Sequence, residues 1–363
     1  MLTSHITIFI VQFTVYLCEV FLFFTKKMPK FMIVISVVLL SVYLTEQAHF
    51  LSKSYVEKIN EEATTWKAKQ NFPEYMTKEQ IVQLLGSKSL TGVPKSPVKE
   101  NDSNYVENSE LPNFFDARIQ WSHCKTIGEV RNQGNCKNCW ALSTTSAFAD
   151  RLCVATKGDV NELISAEELT FCCSKCGFGC RVGGYPIRAW QYFKSHGVVT
   201  GGNYNTSDGC QPYRVPPCVI DEQGHNTCSG QPTERNHKCR KSCYGDLTYN
   251  YKNGHYQTKD AYYLNANVMR KDTLEYGPIE AAIDVYDDFV NYESGVYQKT
   301  KNAKYLGGHS VKLIGWGEEN GVLYWLMVNS WGEQWGANGL FKIRRGTNEC
   351  GVEGSPTAGV PLV

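Results

Sequence analysis

Fourteen cysteines fall between Cys124 and Cys350, and a fifteenth, Cys18, stands near the amino terminus. Cross-links in such number decide which parts of a chain can separate, so their redox state constrains the fold more than any other feature. Export makes disulfides the expected state. Zinc is the rival for Cys136-x2-Cys139 and Cys173-x2-Cys176, but a structural zinc site needs four convergent thiolates or imidazoles, and an exported chain this rich in cysteine would oxidise them first. Fourteen is even, so parity alone permits seven bridges and no free thiol. A reactive cysteine has to be found by another argument.

The amino-terminal region carries signs of export. Apolar runs at residues 6–24 and 31–44 flank the basic Lys26, Lys27 and Lys30. The second run is short for a bilayer core of about 30 Å and suits a signal-peptide core, with Lys30 ahead of it and Ala48 as a cleavage edge. Residues 1–48 are therefore expected to be a signal peptide or leader, with Met28 as an alternative start. Translation from Met1 would instead give the first run, interrupted by Gln12 and Glu19, the character of a signal anchor or membrane hairpin. The expected destination is secreted or lysosomal, without stable membrane insertion after leader cleavage. Asn101-Asp-Ser103 and Asn205-Thr-Ser207 are glycosylation acceptors in such a chain. Lys+Arg 37 against Asp+Glu 36 leaves a net charge of +1, no basic field of the kind that draws nucleic acid.

Between residues 49 and 85, Tyr55, Ile59, Ala63 and Trp66, and then Ile81, Leu84 and Leu85, recur at helical spacing and predict two small helices. Residues 86–110 turn to Ser, Pro, Lys, Asn and Gly and read as a linker. The piece ahead of the linker is too small for a core of its own, so residues 49–110 are expected to pack on the larger domain C-terminal to them as an inhibitory pro-segment. The mature domain is expected at 111–363. In it, Trp140, Thr144, Phe148 and Leu152 predict a largely buried helix opening at Cys139, and Ser165-Ala-Glu-Glu168 reads as a capping box. Residues 208–251 read as disulfide-stapled loop. Short apolar runs at 279–285, 310–316, 324–329 and 340–344 predict strands. A helical half followed by a β half is α+β, and a cleft between two such layers is a usual place for a site.

Gln133-Gly-Asn-Cys-Lys-Asn-Cys139-Trp-Ala141 puts Cys139 at the mouth of that helix, where free backbone N–H groups and the dipole favour thiolate. Gly307-Gly308-His309-Ser310 places a histidine just before a strand, and Asn329-Ser330-Trp331-Gly332 places an amide at the end of the next. Cys, His and Asn are the parts of a thiolate–imidazolium couple with an orienting third group. Read without that couple, Cys136 and Cys139 would be a redox pair or two bridge halves.

Together these residues resemble the papain-like cysteine proteases, whose signature C-G-[SA]-C-[WY] stands here as Cys136-Lys-Asn-Cys139-Trp140, with both middle positions changed. The chain is specifically similar to the cathepsin B group through Leu111-Pro-Asn-Phe-Phe-Asp-Ala-Arg118, Cys172-Cys173, Gly183-Gly-Tyr-Pro186, Gly201-Gly-Asn-Tyr204, Cys210-Gln-Pro-Tyr213 and Pro216-Pro-Cys218, and Thr64-Thr-Trp-Lys67 looks like that group's pro-segment. The resemblance implies a papain-like two-domain fold, helical on the left and β-barrel-like on the right, with the active site in the cleft between. It implies Cys139 as nucleophile, His309 as its imidazolium partner, Asn329 orienting the ring, and Gln133 with the Cys139 N–H as oxyanion hole. Gly183, Gly184, Tyr185, Pro186, Ala282, Gly308, Ser310 and Ser355 would meet substrate, and Trp331 would shield the Asn329–His309 contact. No cofactor or metal is implied. The implied bridges are Cys124–Cys153, Cys136–Cys180, Cys172–Cys239, Cys173–Cys176, Cys210–Cys243 and Cys218–Cys228, leaving Cys139 and Cys350 as thiols.

Two further implications concern specificity. The position that carries a glutamate at the base of the group's second pocket is Ser355, with Glu353 within a residue or two. The group's loop that blocks the cleft corresponds to residues 218–228, its two carboxylate-binding histidines to Ile220 and Asp221, and the aspartates that latch it to Asn132 and Gln334, so both ion-pair latches are expected to be lost. The expected activity is a zymogen-borne endopeptidase with weak dipeptidyl carboxypeptidase activity, whose partners are protein and peptide substrates, its own pro-segment and cystatin-like inhibitors, in a monomer. A catalytically silent binding protein on the same fold is the alternative, and a Cys136–Cys139 oxidoreductase a third reading that needs Cys136 free.

Overall fold

The computed structural model describes residues 49–88, 97–100, 102, 105–107 and 110–363; the expected leader and the Asn101 acceptor lie outside the described residues. Among the described residues no helix is long and apolar enough to cross a membrane. The pro-segment begins with α1, Lys53–Glu62, where the Ser52 side chain accepts the Tyr55 N–H and Ile59 is the buried residue. A strand the periodicity does not reveal comes next, β1 at Trp66–Ala68, too short at three residues to show an alternation. Then α2, Lys78–Val82, opens on a full capping box between Thr77 and Gln80. These elements share one apolar core with the β half of the protein: Ile59, Trp66, Ile81, Leu84 and Leu85 are buried in the same cluster as Val285, Phe289, Leu313 and Trp335.

In the domain proper, β3 (Phe115–Asp116) and α3 (Ala117–Gln120) lead to α4, Cys139–Ala155, buried from Cys139 to Cys153. A helix surrounded on all sides must pair its charges internally: Arg151 meets Asp272, and the Asp150 carboxylate lies 2.7 Å from Lys312 Nζ. Helices α5 (Ala166–Cys172) and α6 (Pro186–Ser195) complete the helical half with α4, its apolar contacts centred on Trp140, Phe148, Trp190 and Phe193. Ser165 accepts the Glu168 N–H as expected, but the capping box is only half formed. The Glu168 carboxylate goes to the Val199 N–H, Tyr251 and His255 instead.

The β half uses β4 (Tyr262–Leu264), α7 (Met269–Tyr276), β5 (Ile279–Tyr286), β6 (Tyr292–Tyr297), β7 (Tyr305–Glu319), β8 (Val322–Val328), β9 (Leu340–Arg344) and β10 (Thr357–Ala358). The sheet runs β1-β6-β9-β8-β7-β5-β10-β4-β2, with β3 on β7. Both ends of this path are strands from the residues ahead of Leu111. One of them, β2 at Val98–Lys99, pairs in parallel with β4, so the stretch expected to be linker contributes a sheet edge. His309, expected just ahead of a strand, lies inside β7 opposite Ile283 of β5.

All six implied disulfides form, and Cys139 and Cys350 are the free cysteines among the described residues. With Cys136 bonded to Cys180, the oxidoreductase reading loses the second thiol it needs. Residues 208–251 hold no helix or strand and are tied by Cys210–Cys243, Cys218–Cys228 and Cys172–Cys239.

Candidate active site

Helix α4 starts at Cys139 itself. Its N-cap, Asn138, makes no side-chain cap, because its amide is drawn to Thr170 and Tyr213. The first backbone N–H groups of a helix without a cap face whatever lies beyond its end, here the Cys139 sulfur. Strand β7 brings the Ser310 N–H to the same sulfur, and His309 is the residue before it on that strand. From the end of β8, Asn329 Oδ1 lies 2.7 Å from His309 Nε2, and the Trp331 ring covers the imidazole at 4.8 Å between centroids. Gln133 is fully buried; its Oε1 accepts the Ser330 hydroxyl at 2.8 Å, which aims Nε2 into the cleft.

The cleft is filled by the chain's own backbone. Gln133 Nε2 donates to the Leu84 carbonyl at 3.1 Å, and the Gly86 N–H donates to Cys139 Sγ at 3.3 Å. Residues 86–88 pair with both walls: Gly184 N–H to Gly86 O at 2.9 Å, Lys88 N–H to Gly184 O at 2.8 Å, and Ser87 N–H to Gly308 O at 3.1 Å. This contact requires glycine. A Cβ on Gly183, whose φ is +82°, would lie 2.1 Å from Gly86 O, and one on Gly184 would strike the Trp140 ring at 2.5 Å.

Burial beneath this plug changes the chemistry of the pair. Loss of solvent pushes the Cys139 thiol up to about 11, against the backbone N–H groups that favour thiolate. The same desolvation holds His309 down at about 4, with the Asn329 oxygen and the Leu84 carbonyl opposing it. At neutral pH the covered pair is thiol and imidazole, not an ion pair.

Other implied site residues differ in their surroundings. Tyr185 caps α6 with the Arg188 guanidinium over its ring, and Pro186 opens that helix, buried. Ala282 and Ser355 are partly exposed. Ser310, expected to line a substrate pocket, is fully buried; its hydroxyl accepts from Ser143 at 2.9 Å and donates to the Glu280 carboxylate, which Thr357 also reaches. Glu353 is committed to its own turn, accepting from Trp325 Nε1 and the Gly346 and Asn348 N–H groups.

At the 218–228 loop neutral hydrogen bonds stand where the ion-pair latches were expected to be lost. Asn132 donates to Cys218 O at 2.8 Å and accepts the Cys218 N–H at 3.1 Å, and Gln334 does the same for Ile220 at 3.0 and 2.7 Å. Asp221 accepts the Gln223 and His225 N–H groups. Sequence reasoning missed Leu84, Gly86, Ser330 and Glu280. Gly86 directly after an apolar pair was a signal for close backbone approach, and Ser330 sat inside the Asn329–Trp331 motif; nothing local marked Glu280.

Comparison with known proteins agrees with this geometry. Residues 111–360 match the papain family cysteine protease domain, and residues 51–90 match the peptidase family C1 propeptide. The chain is 41% identical over 321 residues to cathepsin B-like cysteine proteinase 5 of Caenorhabditis elegans, covering 85% of this chain and 90% of the relative. It is 38% identical over 323 residues to cathepsin B-like cysteine proteinase 4 of the same organism, covering 86% and 92%. The solved structure of proCathepsin B S9 from Trypanosoma congolense superposes with a TM-score of 0.73 at 32% identity, over 87% of this chain and all of that one. The chain belongs to the papain family of cysteine proteases, as a cathepsin B-like cysteine proteinase with its own propeptide.

Proposed function

We propose that Cys139 is the nucleophile of an endopeptidase, that His309 holds its thiolate and then protonates the leaving amine, and that Asn329 orients the imidazole. Gln133 Nε2 and the Cys139 N–H stabilise the oxyanion. The observation that carries this reading is the Leu84 carbonyl on Gln133 Nε2 with the adjoining Gly86 N–H on Cys139 Sγ: a peptide bond already lies in the cleft, with its carbonyl held by the group assigned to the oxyanion. Residues 49–110 act as the removable inhibitor, with the mature enzyme beginning near Leu111. Cystatin-like proteins would compete for the same cleft, and the enzyme works as a monomer in the secretory pathway, lysosomal or secreted.

The second pocket should take apolar or aromatic side chains, because Ser355 supplies no carboxylate and Glu353 is held by its own turn. A specific feature favours a second reading: Asp284 is exposed and stands two residues from Ala282 on β5, hence on the same face, where it would draw Arg or Lys. A peptide library varied at that position decides, with Phe or Leu over Arg expected.

Cleavage should be mainly internal. Ile220 cannot pair a terminal carboxylate, and Asp221 would repel one. With matched peptides bearing a free or an amidated C-terminus, the processed protein should cut both internally. Efficient dipeptide release from the free form with little cutting of the amidated one would sink that assignment. Full-length protein should be inactive on a folded substrate, and a Cys139→Ala control should abolish activity after processing.

A further inference from the structure

The Lys99 ammonium, on the pro-segment strand β2, is enclosed by three tyrosine rings. Its Nζ lies 4.4 Å from the Tyr276 centroid, 4.6 Å from that of Tyr262 and 5.4 Å from that of Tyr105. Ammonium groups are attracted to ring faces within about 6 Å, more strongly where water is excluded, and only 13% of this side chain is exposed. Two carboxylates complete the shell, Asp102 at 2.7 Å and Asp272 at 3.8 Å. The backbone is read as well, since Val98 and Lys99 pair with Tyr263 and Leu264 along β4.

Three of these five groups, Tyr262, Tyr276 and Asp272, belong to the domain that remains after processing. Tyr262 and Asp272 are held from behind: the buried Arg151 binds Asp272 Oδ1 and donates to the Tyr262 hydroxyl, which in turn donates to Asp272 Oδ2. The Tyr105 hydroxyl donates to that same Oδ2 at 2.6 Å. When Tyr105 and Lys99 depart, a carboxylate oxygen and two ring faces line the vacated notch. The strand edge of β4 opens beside it. An exposed strand edge binds extended peptide through main-chain hydrogen bonds, and neighbouring pockets select the side chain.

We propose that the mature domain carries an exosite for a lysine side chain on an extended segment, formed by the Tyr262 and Tyr276 rings, the Asp272 carboxylate and the edge of β4, with Lys99 as its occupant in the zymogen. The inference rests on the reading that residues 49–110 leave on processing. It concerns a surface separate from the cleft, so it makes no demand on which residue is the nucleophile. The detached arm, an extended segment carrying Lys99, would rebind there without entering the cleft.

The test uses enzyme processed from the full-length zymogen, with Cys139 alkylated, and a fluorescent peptide of residues 96–107. The peptide should bind saturably, a Lys99→Ala peptide at least tenfold more weakly, and Tyr276→Leu enzyme should lose the same factor. Before alkylation, that variant's kcat/KM on a short fluorogenic peptide should stay within about twofold, and the 96–107 peptide should not compete with that substrate. Equal binding of the two peptides overturns the proposal, as does competition with the short substrate. A processed chain whose mass retains residues 97–107 overturns it too, because the site then never opens. The peptide comparison needs no variant protein to fold, and whether the processed chain cleaves peptides is read separately.

Discussion

Glu280 is a carboxyl group buried among neutral partners. It is fully buried in β5, where the Ser310 and Thr357 side chains reach it, and burial pushes its pKa up from 4.5 to about 7. Between those values the unfolded chain has released this proton and the folded chain has kept it, so rising pH lowers stability across that window. The penalty is absent below about pH 4.5 and approaches the full difference between the two values near pH 7, on the order of 3 kcal/mol. Glu280→Gln keeps a hydrogen-bonding side chain and removes the titration. Its Tm should match the parent near pH 4.5 and exceed it near pH 7; parallel Tm curves would mean that Glu280 does not titrate there. At the site itself, Gln133→Ala should lower kcat/KM of the processed enzyme by about 10²–10³-fold with little change in KM, as expected for a lost oxyanion donor. A loss confined to KM would assign Gln133 to ground-state binding.

The element that governs access is the short stretch after α2. At Gly86 an added Cβ would lie 2.0 Å from the Lys137 carbonyl oxygen, backbone against backbone, with no flexible end to yield. Overpacking of this kind costs about 1–3 kcal/mol. Gly86→Ala in a pro-segment peptide should therefore weaken inhibition of the processed enzyme by roughly tenfold or more; unchanged inhibition would show that the cleft contact contributes little beside α1 and β1. The proton count of this plug also bears on its release. Covered, both groups are held toward their neutral forms, thiol and imidazole; uncovered, the proposed thiolate–imidazolium couple would hold the same single proton. Opening therefore moves a proton within the pair and adds no pH dependence of its own near neutrality.

Across the whole molecule, the residues ahead of Leu111 bind as an edge and as a plug, with β1 and β2 at opposite ends of the sheet path and residues 84–88 in the cleft. The 218–228 loop rests beneath them, with its Asn226 N–H on the Tyr75 hydroxyl and Gln80 on Ser229. Once the segment above it has left, that loop should be retained by its bonds to Asn132 and Gln334, amides that do not titrate. The ratio of dipeptide release to internal cleavage should thus stay flat from about pH 5 to about pH 7, whereas a loop held by ion pairs would open as its partners changed charge. A ratio that changes severalfold over that range would mean that groups other than these two amides hold the loop.

Much of this protein was legible in the chain. The buried helix behind Cys139 showed in its apolar spacing and the β half in short runs between glycines, and the motifs around His309 and Asn329 do meet, through the hydrogen bond between those two side chains. The bridge set and the spare thiols came with the family resemblance, because pairings cannot be read from spacing. Tertiary structure alone decided the rest. Two- and three-residue strands such as β1 and β2 carry no period, and they exist only because β6 and β4 offer unpaired edges. Ser310 and Pro186 face inward through packing that their neighbours in sequence do not encode. Whether Cys139 is thiolate or thiol depends on solvent, and solvent is excluded by Leu84 and Gly86, more than fifty residues away in the chain.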